Sequence, residues 1–199
     1  MTHIAIFASG SGSNARKIIE YFQRSSVGKV ALVVSNKREA GVLAIAAEHG
    51  IPTLIIDRQM FYESEEVLAL LEDHNIGFIA LAGFLWLVPS YLVQAFPRKI
   101  VNIHPALLPK YGGKGMYGHK VHEAVKAAGE TESGITIHFV NDHYDEGDII
   151  FQAKCPLTRT DTPETIAKKV LQLEHHHFPQ IIEKQVAPTA PIHHFINKL

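Results

Sequence analysis

The chain has 199 residues, 46% of them hydrophobic and 20% charged, and a formal net charge of −1. That length suits one domain with a full core, and the near-neutral balance gives no electrostatic case for a nucleic-acid partner or an anionic membrane. The single cysteine, Cys155, excludes an intrachain disulfide framework, and the first apolar run is too short for a secretion signal or a bilayer span, so the expected location is cytoplasmic.

Short β-rich runs alternate with helix-period segments, the rhythm of βαβ units in an α/β, Rossmann-like fold whose mostly parallel sheet is flanked by helices. Strands are predicted at Ile4–Ala8, Val30–Ser35, Thr53–Ile56, Phe78–Ala82 and Ile100–Ile103. Between them, helices are predicted at Asn14–Gln23, Gly41–Glu48, Glu63–His74 and Ser90–Phe96. After His104 the rhythm changes. A glycine-rich loop (Lys110–Gly118) leads to a helix at His119–Ala128, then to strands at Ile135–Val140 and Ile149–Ala153. The polar connection Asn141–Asp148 between those strands is short enough for a hairpin, so an antiparallel element is expected near the C-terminal end. Thr162 and Pro163 open a long helix reaching about Glu183, as cap and first residue. One domain is expected over residues 1–186, with residues 187–199, which include Pro188 and Pro191, as a C-terminal extension over the surface.

The stretch Ser9-Gly10-Ser11-Gly12-Ser13-Asn14 lies between the first strand and the first helix. Gly10 to Ala15 match the G-x-G-x-x-A form of the dinucleotide fingerprint, but the second strand ends Ser35-Asn36-Lys37, without the acid that would hold a ribose. Lys37 and Arg38 suit a 2′-phosphate instead, which leaves an NADP site as an option. Ser13 and Asn14 at a helix start suit a phosphate monoester better, because hydroxyl and amide donors join N–H groups at the positive end of the dipole. The plain alternative is a turn that needs flexible glycines and an Asn cap.

In "KIVNIHPALLPKY" (Lys99–Tyr111), Asn102 and His104 share one face of a strand, and Pro105 keeps His104 extended. An amide donor beside an imidazole can stabilise an oxyanion and move a proton, the needs of acyl transfer; a capping Asn and a structural His would show the same pattern. A carboxylate is the natural third member, and Asp142, Asp145, Glu146 and Asp148 all lie in the turn after the strand that carries His138. Spacing does not choose among them.

"SGSGSN", "VSNK", "LAGF", "NIHPALLPKY", the "HFV…D…DEG" segment and "LEHHHFP" occur in one order over about His3–Glu183. In this the chain resembles the folate-dependent phosphoribosylglycinamide formyltransferases. The resemblance implies the formyltransferase fold and transfer of a formyl group from 10-formyltetrahydrofolate, a cosubstrate, to the amine of phosphoribosylglycinamide in purine synthesis. It implies Asn102, His104 and Asp145 as the catalytic trio, with Asn102 on the oxyanion and Asp145 helping to hold His104 protonated. Gly12, Ser13 and Asn14 would bind the substrate phosphate, and Glu174 would reach the ribose hydroxyls. The folate would lie along Leu85, Trp86, Leu87 and Val88 and against Asn141, Asp142, His143 and Tyr144. The partners implied are small molecules, with no nucleic acid, membrane or metal, and the chain would be a monomer or weak homodimer.

The chain departs from the family in three places. Trp86 stands where many relatives carry Arg, and a family arginine that meets the folate tail falls near Ser64, with no Arg replacing it locally. The loop Lys110–Gly118 is longer and richer in glycine than usual, placed to cover the substrates, with Lys110 and Lys114 able to face the phosphate. A deformylase shares the Asn-His-Asp logic with water as acceptor, and a non-catalytic nucleotide-binding module would explain the glycine loop alone. Metal chemistry is not expected: His175, His176 and His177 diverge around a helix, and His119 with His122 lacks a nearby acid.

Overall fold

The computed structural model describes residues 1–188. Strands β1 (Thr2–Phe7), β2 (Gly28–Ser35), β3 (Thr53–Ile55), β4 (Ile76–Leu81), β5 (Ile100–His104), β6 (Glu132–Phe139) and β7 (Ile149–Pro156) form one sheet in the order β3-β2-β1-β4-β5-β6-β7. The first five are parallel, and β6 pairs antiparallel with both β5 and β7. The expected parallel sheet with an antiparallel C-terminal element is therefore present.

Strand parity divides the core in two. Ile4, Ile6 and Ala8 face one side with Val101 and Ile103, where α1 (Ser13–Phe22), α2 (Gly41–Glu48), α6 (His119–Ala127) and α7 (Pro163–Val186) cover them. Ala5, Phe7, Leu81 and Ile100 face the other, under α3 (Arg58–Tyr62), α4 (Glu66–Asp73) and α5 (Ser90–Ala95). Because both faces of β1 are covered, it reads as an unbroken apolar run rather than an alternating one. The parity that sends Val101 and Ile103 into the first core turns Asn102 and His104 to the opposite face, at the carboxyl end of β5.

Several boundaries differ from the sequence reading, and an added helix accounts for the largest change. α3 was not expected: Asp57 Oδ1 accepts the Met60 N–H at 2.9 Å and starts a helix of five residues, too short to show a helical period. Ser64 Oγ then donates to the Met60 carbonyl and accepts from the Glu66 N–H, so the next helix begins at Glu66 rather than Glu63. β6 also starts earlier than expected, at Glu132, because the strand runs through Ser133 and Gly134.

The start of α7 is fixed by a knot around Asp161, which is 7% exposed. Its carboxylate accepts from the Thr158 N–H and Lys169 Nζ, each at 2.7 Å, and from Thr165 Oγ1 at 2.9 Å. Lys169 above all, with these donors, holds the carboxyl well below its usual range. Thr162 and Thr165 complete a reciprocal capping box, and Pro163 occupies the first turn as expected. Most of the expected C-terminal extension, residues 189–199, lies outside the described residues.

Candidate active site

The strand order reverses at β1, which has β2 on one side and β4 on the other. A cavity of about 860 Å³ opens there at the carboxyl ends of the strands, a size suited to small organic ligands. The glycine loop forms one end, Asn102 and His104 the middle, and the segment after β4 the other end.

At the glycine-loop end, Ser9 is 3% exposed; its N–H donates to the Gly83 carbonyl at 3.0 Å and its Oγ accepts the Leu85 N–H at 3.0 Å. One serine thus ties the loop after β1 to the loop after β4. Gly12 has φ 82°, and a Cβ there would sit 2.7 Å from Val42 Cα, so glycine is needed for α1 to approach α2. Gly10 and Asn14 line the cavity, whereas Gly12 and Ser13 do not. Asn14 Nδ2 donates to Glu174 Oε2 at 2.6 Å, across 160 residues of chain. Burial pushes the Glu174 carboxyl up to about 6, against the opposing pull of that hydrogen bond. Asn14 Oδ1 is buried with no hydrogen-bond partner among the described residues, an acceptor suited to a ligand hydroxyl.

In the middle of the cavity, Asn102, His104 and Asp145 come together as expected. Asp145 Oδ2 lies 3.5 Å from His104 Nδ1, and Oδ1 accepts from Asn102 Nδ2 at 3.4 Å. The turn that delivers Asp145 holds it at φ 59°, in the left-handed region that aspartate tolerates better than most residues. A fourth group joins them. His138 lies directly opposite Asn102 in the β5–β6 register, with Nε2 3.1 Å from Asn102 Nδ2. The Phe139 carbonyl accepts from His138 Nδ1 at 2.8 Å, so Nε2 is left to accept from the Asn102 amide and fix its orientation. The sequence reading placed His138 on its strand but gave it no role; the signal was its even spacing from Thr136, visible only once the strand pairing is known.

Burial lowers the His104 imidazole below its ordinary pKa, and the nearby Asp145 charge opposes this without reversing it. Burial thus works against the expected protonation of His104, while Asp145 and the Tyr111 carbonyl work for it. Burial raises the Asp145 carboxyl, yet it lies below its usual range: the Gly113 N–H donates to Oδ2 and the Asn102 amide to Oδ1, and both favour the carboxylate.

At the far end, Leu85, Trp86, Leu87 and Val88 line the cavity, as do His143 and Tyr144. Asn141 and Asp142 do not; Asn141 Oδ1 instead accepts the His143 N–H at 3.0 Å and shapes the turn. Trp86 packs with Phe61 and Phe84, and the Arg58 guanidinium lies over its ring, 5.1 Å from the centroid. Arg58 comes from α3, the helix the sequence did not reveal, and is not itself among the residues that line the cavity. Two further expectations change. Lys110 pairs with Glu130 at 2.9 Å rather than facing a phosphate, while Lys114 does line the cavity. His119 has acids close by, Glu123 at 3.4 Å and Glu164 at 3.5 Å, and the rings of His176 and His177 lie 4.6 Å apart rather than diverging.

A sheet with this switch point, carrying an Asn-His-Asp cluster at the end of its fifth strand, defines a class. The formyl transferase family model matches residues 2–182, and the chain belongs to that family. More particularly, it is 46% identical over 185 residues to the chloroplastic phosphoribosylglycinamide formyltransferase of Arabidopsis thaliana, covering 90% of this chain and 63% of that protein. The corresponding protein of Vigna unguiculata is 43% identical, with 59% of its length covered, so the chain spans about three-fifths of these curated relatives. Among solved structures, phosphoribosylglycinamide formyltransferase from Bacillus halodurans superposes with a TM-score of 0.84 at 34% identity, covering 96% of this chain and 98% of that one. The Coxiella burnetii enzyme gives 0.82 at 36% identity, covering 93% and 87%.

Proposed function

We propose that this protein transfers the formyl group of 10-formyltetrahydrofolate to the amine of 5-phosphoribosylglycinamide. The observation that carries the proposal is the placement, in one cavity, of an anion-suited helix start, a ribose-suited Asn14–Glu174 pair, the Asn102/His104/Asp145 cluster and an aromatic wall. The names of the relatives agree with it.

The first turn of α1, with Gly10 and Asn14, would hold the phosphate monoester, its N–H groups at the positive end of the helix. Glu174 and Asn14 Oδ1 would take ribose hydroxyls. Leu85 to Val88 with His143 and Tyr144 would hold the pterin, and Arg58 on the Trp86 face would meet the anionic tail. Bound formyl folate supplies the reacting carbonyl carbon and the leaving nitrogen. Asn102 Nδ2 keeps its bond to His138 and turns the other N–H from the long 3.4 Å contact with Asp145 to the formyl oxygen as the amine adds and charge gathers there. His104 takes the proton released by the attacking amine on Nδ1, beside the Asp145 carboxylate that stabilises the imidazolium, and returns it to the leaving nitrogen. The oxygen then reforms its double bond as the carbon–nitrogen bond to folate breaks. No covalent enzyme intermediate is needed. The lone cysteine suits a reducing compartment such as the cytoplasm, and the reading takes the chain as a monomer or weak homodimer with small-molecule partners.

A deformylase would use the same cluster with water as acceptor, but it has no use for the Asn14–Glu174 pair. The deciding experiment supplies 10-formyltetrahydrofolate with and without 5-phosphoribosylglycinamide and follows both products. Formylated glycinamide ribonucleotide in excess of free formate is expected. Formate release that ignores the amine would sink the proposal in favour of the deformylase.

A further inference from the structure

The turn that follows β5 touches the cluster twice. The Tyr111 carbonyl accepts from His104 Nε2 at 2.7 Å, and the Gly113 N–H donates to Asp145 Oδ2 at 2.9 Å. Tyr111 has φ 58°, in the left-handed region that a bulky residue seldom occupies without support. That support lies at the other end of its side chain. Tyr111 Oη donates to Glu130 Oε1 at 2.8 Å, and Lys110 Nζ reaches the same oxygen at 2.9 Å. Glu130 follows the end of α6, where Gly129 at φ 67° turns the chain back toward Tyr111. The tyrosine is thus held at its hydroxyl by Glu130 while its carbonyl points at His104.

A carbonyl oxygen only accepts hydrogen bonds, whereas a neutral imidazole carries one N–H and one bare nitrogen. Two acceptors face the ring, and the 2.7 Å separation of Nε2 from the Tyr111 carbonyl, against 3.5 Å between Nδ1 and Asp145 Oδ2, places the single proton of the neutral ring on Nε2 and leaves Nδ1 bare. We propose that Glu130 is a positioning residue that sets this tautomer through Tyr111, and so reserves His104 Nδ1 for proton transfer. The catalytic part of the inference rests on the function proposed above; the tautomer itself does not.

The test is spectroscopic first. In the free protein labelled with ¹⁵N-histidine, at about pH 8 where the ring is neutral, His104 is expected to show a protonated Nε2 and an unprotonated Nδ1. Glu130→Ala and Tyr111→Phe should each move both nitrogen signals toward a mixture of tautomers. In the same variants kcat should fall about tenfold, with KM for both substrates held within about twofold. Adding Tyr111→Asn to Glu130→Ala should restore the Nε2–H signature, since asparagine adopts the left-handed conformation unaided. A mere loss of packing would not be repaired this way. Unchanged His104 signals in both single variants, or an unprotonated Nε2 in the parent, would overturn the inference. Signals that respond as expected in a protein that forms no formylated product would instead count against the proposed function and leave the tautomer assignment standing.

Discussion

At the glycine-loop end of the cavity, shape comes from the backbone: Gly12 lets α1 approach α2, and the N–H groups of the first helical turn follow directly from the fold. Around Asn102 the site is made of side chains from β5, β6 and the turn after β6, brought into register by pairing across the sheet. The first end is part of the packing, and the second is laid on top of it. A substitution at the glycine loop should therefore show itself mainly as lost stability, and one in the cluster mainly as lost turnover in a folded protein.

The largest effect should fall on the cluster. Asn102→Ala and His104→Ala are each expected to lower kcat by about 10²–10³-fold, the usual consequence of removing an oxyanion donor or a proton carrier. Their urea midpoints should stay near the parent's, and a folded His104→Ala protein with near-normal turnover would abolish the distinction. At the other end, Gly12→Val combines a left-handed backbone with a collision against Val42 and should cost about 3 kcal/mol in urea unfolding. Retained stability together with a raised ribonucleotide KM would show that the loop acts as a ligand surface rather than as packing.

Glu174 belongs to both ends of the comparison, because it is buried in the core side of α7 yet aimed at the cavity. Its folded pKa of about 6 lies above the ordinary 4.5, so the folded state binds the proton more tightly than the unfolded chain. Stability from this group is complete below about pH 4.5 and is lost as pH rises through 6, amounting to about 2 kcal/mol. Glu174→Gln should therefore be the more stable protein at neutral pH by about that amount, with the gap closing at pH 4, and should bind the ribonucleotide less well. An equal gap at both pH values would contradict the assignment. The smallest change expected is Thr162→Ala, which removes one half of the capping box and should lower stability by about 1 kcal/mol with KM unchanged.

The βαβ rhythm and the long C-terminal helix were legible because apolar periodicity is a local property of the chain. Asn102 and His104 were legible for the same reason: two residues apart on one strand, they share a face whatever the partner. His138 was not, since its place beside Asn102 depends on the β5–β6 register, which no single strand reveals. The choice of Asp145 among four neighbouring acids came from family resemblance, and only its φ of 59° and the Gly113 N–H show why it is the one that turns inward. Arg58 stayed hidden because its helix is one turn long and its partner Trp86 lies 28 residues further on.

The Asp161 knot works at a distance. Glu174 lies 13 residues further along α7, about 20 Å at 1.5 Å per residue. A helix clamped at its first turn behaves as a lever, and a tilt of about 5° at the clamp would carry the far carboxylate through about 2 Å, several times the roughly 0.5 Å tolerance of a functional group. The aim of the Glu174 carboxylate is thus set in part by donors gathered on one buried aspartate that does not line the cavity, together with the packing of Ile166, Val170 and Phe178 along the helix.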